Sequence, residues 1–239
     1  MTPRPLIKVC GFTRPEDAAL AASLGADLLG LNFHPPSPRY LDPVRDLARL
    51  REIAAAAAGA TLVGVFVNRP PGEIEETAAA VGLDLVQLHG DEGPEVAACF
   101  GARAVKVFRR SAPPAPEEIA LYPHAWGFLF DAPPRPRRAA PGPRGAPAPP
   151  DPYGGTGHSW DHGVLRALTS EGGAAAGRPM LIAGGIRPGT ARAALAASGA
   201  AGIDVCSGVE SAVDPTPGAK DAELMTRLFE EVRHGPAAP

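Results

Sequence analysis

The chain has 239 residues, a mass of 24.5 kDa and 45% hydrophobic residues, which is enough for one large core. This length fits a single α/β barrel of roughly 250 residues. The net charge is −3 and the pI about 6.1, so no basic surface predicts binding to nucleic acid or to an anionic membrane. The three cysteines, Cys10, Cys99 and Cys206, form no CxxC pair, which argues against a disulfide framework or a zinc ribbon.

The sequence gives no indication of a membrane or secretory segment. No apolar signal core follows the N-terminal residues, and the longest apolar run, residues 53–67, is interrupted by Gly59 and Thr61. A run of this length is too short for a transmembrane helix. We therefore expect a cytoplasmic protein that has neither a membrane nor a nucleic acid as its partner.

Short β-branched or leucine-rich runs alternate along the chain with alanine-rich segments, and several of the latter begin at or near a proline. The predicted strands are residues 6–10, 27–33, 61–67, 85–89, 104–108, 126–131, 180–183 and 202–206. The predicted helices are residues 15–24, 43–58, 71–81, 94–100, 116–122, 160–169, 188–198 and 217–232. This alternation is typical of a parallel sheet with crossover helices.

A small internal repeat favours a single closed array of these units. Gly25, Gly82 and Gly199 each stand where a helix should end and a strand begin shortly afterwards. Eight strand–helix units in series are most simply closed as one (β/α)8 TIM barrel over residues 1–239. The alternative is an open doubly wound sheet, but no GxGxxG motif follows the first strand.

A Pro/Arg-rich insertion at about residues 132–152 interrupts the regular alternation. Its prolines exclude a helix or a central strand. A loop of this length in a compact domain is usually either disordered or functional. We keep both interpretations: a disordered segment, or a basic lid over an anionic substrate.

The predicted strand ends carry polar or glycine residues, which a barrel would gather at one mouth, where catalytic side chains of such barrels lie. In chain order they are Cys10, Asn32 with His34, Asn68, His89, Asp131, Gly184 with Gly185, and Ser207 with Gly208. Each residue alone has an ordinary structural explanation. A complete ring of them predicts a site.

Glycines near the last strands indicate a phosphate site. Residues 154–157 read GGTG, Gly184 and Gly185 follow the seventh strand, and Ser207 and Gly208 follow the eighth. Glycine lets backbone N–H groups approach a phosphate closely.

Cys10 and Asp131, at the ends of the first and sixth strands, would face each other across the mouth and suit a reaction that needs a base and an acid.

Six motifs in order resemble the signature of the phosphoribosylanthranilate isomerase family. They are residues 8–13 (KVCGFT), 37–40 (SPRY), 63–68 (VGVFVN), 86–92 (VQLHGDE), 154–157 (GGTG) and 204–210 (DVCSGVE). The resemblance implies an enzyme of tryptophan biosynthesis that needs no cofactor or metal. It would convert N-(5'-phosphoribosyl)anthranilate to 1-(2-carboxyphenylamino)-1-deoxyribulose 5-phosphate by an Amadori rearrangement.

The resemblance also implies roles for individual residues. Cys10 would be the general base and Asp131 the general acid, while Arg39 would bind the anthranilate carboxylate with its guanidinium fork. We expect further substrate contacts from Asn32, His89 and Asp204. The expected phosphate ligands are Gly155, Gly184, Gly185, Ser207 and Gly208.

The chain departs from the family pattern at three places. The insertion follows Asp131 where a short loop is usual, His158 stands where a lysine is usual, and Cys206 stands where a serine is usual. The alternatives are another phosphate-binding barrel isomerase, a metal-dependent epimerase and a non-catalytic phosphosugar-binding barrel. The pairing of Cys10 with Asp131 and Arg39 argues against the last of these. The sequence leaves open whether the protein is a monomer or a homodimer.

Overall fold

Eight parallel strands form a closed barrel in the computed structural model, which describes residues 4–57, 59–132, 161–170, 173, 175 and 177–234. Each strand pairs with the next along the chain, and β8 pairs with β1. The strands are β1 Leu6–Cys10, β2 Leu28–Asn32, β3 Thr61–Phe66, β4 Leu85–Leu88, β5 Ala104–Arg109, β6 Gly127–Asp131, β7 Met180–Ile182 and β8 Gly202–Val205. The predicted (β/α)8 architecture is confirmed.

A helix or helical turn follows each strand. The α-helices are α1 Pro15–Ser23, α2 Leu47–Ala56, α3 Pro71–Val81, α4 Pro94–Phe100, α5 Pro116–Ala120, α6 Arg166–Thr169, α7 Ala191–Ser198 and α8 Ala222–His234. Short 3-10 turns occupy Gly101–Arg103, His162–Leu165 and Ser207–Val209. None of the helices in the described part of the chain combines the length and the apolar character that crossing a bilayer requires.

Several helices begin later than predicted because a side chain caps the preceding turn. Asp42 accepts hydrogen bonds from the N–H groups of Val44 and Arg45, both at 2.9 Å, and α2 begins only at Leu47. Asp221 acts differently: it stands directly before α8 and accepts from the Leu224 N–H in the first turn of that helix at 2.9 Å, so α8 begins at Ala222 and not at Pro217. Short polar side chains compete with the helix for backbone donors in this way.

The sixth unit also differs from the prediction. The helix predicted over residues 160–169 is a 3-10 turn at His162–Leu165 followed by a single α-helical turn, Arg166–Thr169. Of the Pro/Arg-rich insertion, only residue 132 at its start lies in the described part; residues 133–152 lie outside it. The predicted glycine stops are confirmed: Gly25, Gly82 and Gly199 have φ of 86°, 82° and 66°, a conformation that glycine adopts without strain.

The buried side chains form two separate layers because each strand alternates between the inside and the outside of the barrel. The outer layer packs the strands against the helices and includes Ile7, Val9, Leu29 and Leu31. The inner layer is smaller and aliphatic, made of Leu28, Val63, Leu85, Val105, Val107, Leu129, Leu181 and Ala183. The inward series of β1 is Leu6, Lys8 and Cys10, so the interior becomes polar toward the carboxyl ends of the strands.

Candidate active site

One cavity opens at the carboxyl ends of the strands, and the described members of the predicted site line it. These residues are Cys10, Asn32, Arg39, His89, Asp131, Gly184, Gly185, Asp204, Ser207 and Gly208. Gly155 and His158 lie outside the described residues. The cavity is also lined by Cys206, Gln87 and His34.

Asn68 is the exception to the predicted ring, because it serves a turn and does not line the cavity. Its φ is 50°, its N–H donates to Glu92 Oε1 at 2.7 Å and its Oδ1 accepts from the Asp91 N–H at 2.8 Å. Asparagine tolerates this left-handed conformation better than most residues. Asn68 therefore shapes the connections after β3 and β4.

Cys10 ends β1 and is buried, 8% exposed. It lies opposite Gly30 of β2, where a Cβ atom would be only 2.5 Å from the Cys10 sulfur, so the thiol occupies space that only a glycine leaves. A hydrogen bond from Cys206 and the positive charges of Lys8 and Lys220 hold the pKa of Cys10 well below its ordinary value, against the opposing effect of burial. These contacts favour the thiolate, which is the reactive form of cysteine.

Lys8 and Asp204 form an ion pair inside the barrel, next to Cys10. Lys8 Nζ lies 2.9 Å from Asp204 Oδ1, and the side chains are 1% and 8% exposed. Burial would lower the pKa of Lys8, but Asp204 and the Cys10 sulfur together hold it above its ordinary value. Burial raises the pKa of Asp204 to about 6, although Lys8 opposes that rise. Lys8 therefore stays positively charged, because a thiolate and a carboxylate both face its ammonium group.

Asp131 ends β6, and its carboxyl group accepts one backbone hydrogen bond and lies near His89. Its Oδ1 accepts from the Ala132 N–H at 2.8 Å, and its Oδ2 lies 3.4 Å from His89 Nε2. Nδ1 of His89 lies 2.8 Å from the amide nitrogen of Gln87. Because that amide nitrogen is a donor, the neutral imidazole carries its proton on Nε2, facing Asp131. Gln87 thereby orients His89 toward the carboxyl group.

Arg39 is bound by an acidic partner that the sequence analysis did not single out. Arg39 Nε and Nη2 donate to the two oxygens of Glu210 at 2.5 and 2.6 Å, a bidentate pair. Lys220 Nζ lies 3.2 Å from Glu210 Oε1 and also donates to the Cys10 carbonyl at 2.7 Å. Gly11, with φ of 78°, leaves room for the Arg39 stem, since a Cβ there would be 2.6 Å from Arg39 Cδ.

Another part of the cavity wall is built from glycine-rich turns after β7 and β8. Gly184 and Gly185 have φ of 83° and 72°. A Cβ atom at Gly208 would be 2.0 Å from the Ile186 carbonyl oxygen, so the two turns touch through their backbones. Ser207 and Gly208 begin a 3-10 turn, whose first N–H groups have no acceptor within the turn. Such a wall presents main-chain donors and suits an anion.

The fold and this cavity define a (β/α)8 barrel enzyme with a thiol, a carboxyl group and a guanidinium around one mouth. The family model for N-(5'-phosphoribosyl)anthranilate isomerase matches residues 7–231. The chain belongs to the phosphoribosylanthranilate isomerase family.

Named relatives cover nearly the whole chain. It is 41% identical over 224 residues to N-(5'-phosphoribosyl)anthranilate isomerase of Myxococcus xanthus, covering 92% of each chain. It is 39% identical over 227 residues to the Geobacter metallireducens protein of the same name, covering 95% of this chain and 98% of the relative. Among solved structures, the Thermus thermophilus phosphoribosyl anthranilate isomerase matches with a TM-score of 0.74 and 33% identity, covering 95% of this chain and 98% of that one.

Sequence reasoning missed the residues that support the thiol and the arginine: Lys8, Glu210, Lys220 and Gln87. For Lys8 and Gln87 a signal existed, because each stands two residues before a predicted site residue on the same strand and so shares its face. Glu210 and Lys220 come from the segment after β8, and only the folded chain brings them beside Arg39 and Cys10. No spacing rule predicts that contact.

Proposed function

We propose that this chain catalyses the isomerisation of N-(5'-phosphoribosyl)anthranilate to 1-(2-carboxyphenylamino)-1-deoxyribulose 5-phosphate. The observation that carries the proposal is the placement of Cys10 and Asp131, which end β1 and β6 and line the same cavity. A sugar held between them would have a base on one side and an acid on the other. Membership of the family and the glycine-rich wall support the same substrate.

Asp131 is the proposed general acid. Its carboxyl group gives a proton to the ribose ring oxygen, the bond between that oxygen and C1' breaks, and the anthranilate nitrogen supplies the electron pair that forms a C=N bond. The product of this step is an open-chain, protonated Schiff base. His89, whose Nε2 lies 3.4 Å from Asp131, holds the carboxyl group in place during the transfer.

Cys10 is the proposed general base. Its thiolate takes the proton from C2', and the electrons of that C–H bond form the C1'=C2' double bond while the C=N electrons return to nitrogen. The resulting enolamine gains a proton at C1' and loses the proton of its C2' hydroxyl group, which gives the ketone, so the reaction is an isomerisation without net redox change. The Lys8 ammonium beside the sulfur supports the thiolate at neutral pH.

The substrate's two anionic ends are matched by two separate groups of residues in the cavity. Arg39 is the proposed ligand of the anthranilate carboxylate, because a guanidinium binds a carboxylate through two parallel hydrogen bonds. The turns at Gly184–Gly185 and Ser207–Gly208 are the proposed phosphate site. Asn32 and Asp204 line the same cavity and are proposed to contact the ribose hydroxyls.

The test is a fluorescence assay that follows the loss of freshly prepared phosphoribosylanthranilate. We expect turnover by the wild-type chain, and a drop in kcat of at least a hundredfold for Cys10→Ser and for Asp131→Asn, with substrate affinity within about tenfold. Cys99→Ser is the matched control because Cys99 is exposed on α4, and it should keep full activity. Binding of a reduced product analogue by the wild-type chain without any turnover would refute the proposal in favour of a non-catalytic barrel.

A further inference from the structure

The second thiol in the cavity, Cys206, lies beside Cys10. Val9 of β1 pairs with Val205, the last residue of β8, so the residues that follow, Cys10 and Cys206, lie next to each other at the carboxyl ends of these adjacent strands. Both side chains line the cavity, and a Cβ atom at Gly11, the residue after Cys10, would be only 3.0 Å from the Cys206 sulfur. Two thiols in this arrangement can share one proton between them.

The surrounding charges decide which sulfur keeps the proton. Cys206 Sγ lies 3.7 Å from Glu210 Oε1, and a carboxylate at that distance disfavours a negative charge on Cys206. Cys10 instead follows Lys8 by two residues on the inward face of β1, so the Lys8 ammonium is a positively charged neighbour. The charged or titratable groups that face the two sulfurs are Lys8, Asp204, Lys220, Arg39 and Glu210, with Asp131 at the far side of the cavity.

Glu210 does not compete effectively for the Cys206 proton. Both of its oxygens already accept from Arg39, at 2.5 and 2.6 Å, and Lys220 adds a contact at 3.2 Å. The hydrogen bond from the Cys206 thiol to Glu210 Oε1 is long, at 3.7 Å, and it goes to an oxygen whose negative charge Arg39 and Lys220 already offset. The Cys10 sulfur is therefore the better acceptor for the single proton of Cys206.

We infer that Cys206 is a positioning residue for the proposed isomerisation: its thiol keeps the shared proton and donates it to the Cys10 sulfur, so that Cys10 enters the reaction as a thiolate. The inference rests on the proposed function only for the role of Cys10 as the base. The directions of the pKa shifts agree, since the hydrogen bond lowers the pKa of Cys10 and raises that of Cys206. A hydroxyl group at position 206 could make the same donation, whereas a methyl group could not.

The experiment compares Cys206→Ser with Cys206→Ala, both in a chain that carries Cys99→Ser so that the exposed thiol does not react. The first readout is the pH profile of kcat/KM. The second is the pH dependence of Cys10 alkylation by iodoacetamide without substrate, followed by peptide mass spectrometry. In Cys206→Ala, we expect the acid limb of both profiles to move to higher pH. Below the new midpoint, kcat/KM and the rate of Cys10 alkylation should each fall by about ten- to a hundredfold. Cys206→Ser should restore most of the wild-type profile.

Two outcomes would overturn the inference: an unchanged alkylation profile in Cys206→Ala, or an equal shift in the serine and alanine variants. If Cys206→Ala does not fold, the isosteric pair Cys206→Thr and Cys206→Val makes the same comparison, because only threonine donates a proton. A wild-type chain that lacks isomerase activity while its alkylation profile responds to Cys206 would refute the proposed function and leave the thiol pair intact. The two failures are therefore distinguishable.

Discussion

The Lys8 ammonium lies 2.9 Å from the Asp204 carboxylate inside the barrel, and each residue stands two positions before a cysteine of the cavity. Lys8 precedes Cys10 on β1, and Asp204 precedes Cys206 at the end of β8, so the ion pair and the thiol pair occupy successive interior levels. An ion pair so deeply buried is expensive to break. The Lys8–Asp204 ion pair thus supports the layer of the barrel that carries the two cysteines, and it also places a positive charge beside Cys10.

Lys8→Met should destabilise the fold, because it leaves the Asp204 carboxylate buried without its partner. The expected loss is about 3 to 5 kcal/mol in the free energy of unfolding, measured by urea denaturation. The double variant Lys8→Met/Asp204→Leu removes both charges and should lose less than Lys8→Met alone. A double variant that is less stable than the single variant would contradict this account.

Asp204 should also make stability depend on pH. Burial raises its pKa to about 6, so the folded chain binds this proton more tightly than the unfolded chain, whose aspartate pKa is about 4. The stabilisation from this group is present below pH 4 and is lost as the pH rises through 6. We expect the stability of wild type relative to Asp204→Asn to fall between about pH 4 and 6 and to be flat above 7.

The matched control for this pH dependence is Glu76→Gln, which neutralises an exposed carboxyl group on α3. Its stability relative to wild type should change little across the same pH range. If the difference between wild type and Asp204→Asn instead rises with pH between 4 and 6, the Lys8 ion pair dominates and the folded pKa of Asp204 is low.

The barrel could be predicted from the sequence because its signals are local. Strand β1, helix α3 and helix α4 have the predicted bounds, since proline or glycine marks the helix ends and β-branched residues mark the strand. Helix α2 begins four residues after the predicted start, because the hydrogen bonds of the Asp42 side chain replace the first helical turn. A proline shows where a helix can start but not where a side chain delays it.

The candidate site was predictable to the same extent, because strand ends in a closed barrel must meet at one mouth. The sequence could not predict which residues contact each other around this mouth. Glu210 binds Arg39 across 171 positions of sequence, and Lys220 reaches the Cys10 carbonyl across 210. These contacts depend on how the segment after β8 folds back over the mouth, which no local pattern specifies.

Gly30→Ala should reduce activity by displacing Cys10. The added Cβ would be 2.5 Å from the Cys10 sulfur and 3.1 Å from Cys10 Cα, so β1 or the thiol must move. We expect kcat to fall at least tenfold and stability to fall by about 1 to 3 kcal/mol. Gly72→Ala on α3 is the control, since a Cβ there meets nothing within 4 Å and alanine favours the helix. Equal activity in the two variants would show that Cys10 tolerates displacement.

Arg39→Ala should weaken substrate binding through the anthranilate carboxylate. We expect KM to rise at least tenfold, and the variant should no longer distinguish the substrate from an analogue that lacks the carboxylate. Glu210→Gln should raise KM less, because the guanidinium remains but loses a charged partner at 2.5 Å. Arg69→Ala, which removes a surface pair with Glu73, should leave KM unchanged. Continued discrimination against the analogue by Arg39→Ala would place the carboxylate elsewhere.

From the sequence we expect His89 to contact the substrate. In the structure its Nε2 faces Asp131 at 3.4 Å, so we predict instead that it affects the chemical step and not substrate binding. His89→Leu removes the imidazole beside Asp131. We expect kcat to fall about ten- to a hundredfold, with KM within a few fold of the wild-type value. Gln87→Leu should have a smaller effect of the same kind: without the amide at 2.8 Å, the imidazole proton is free to move to Nδ1, away from Asp131. Steady-state kinetics in the fluorescence assay give both parameters. A His89→Leu variant with a raised KM and an unchanged kcat would make His89 a substrate ligand and leave Asp131 to act without its help.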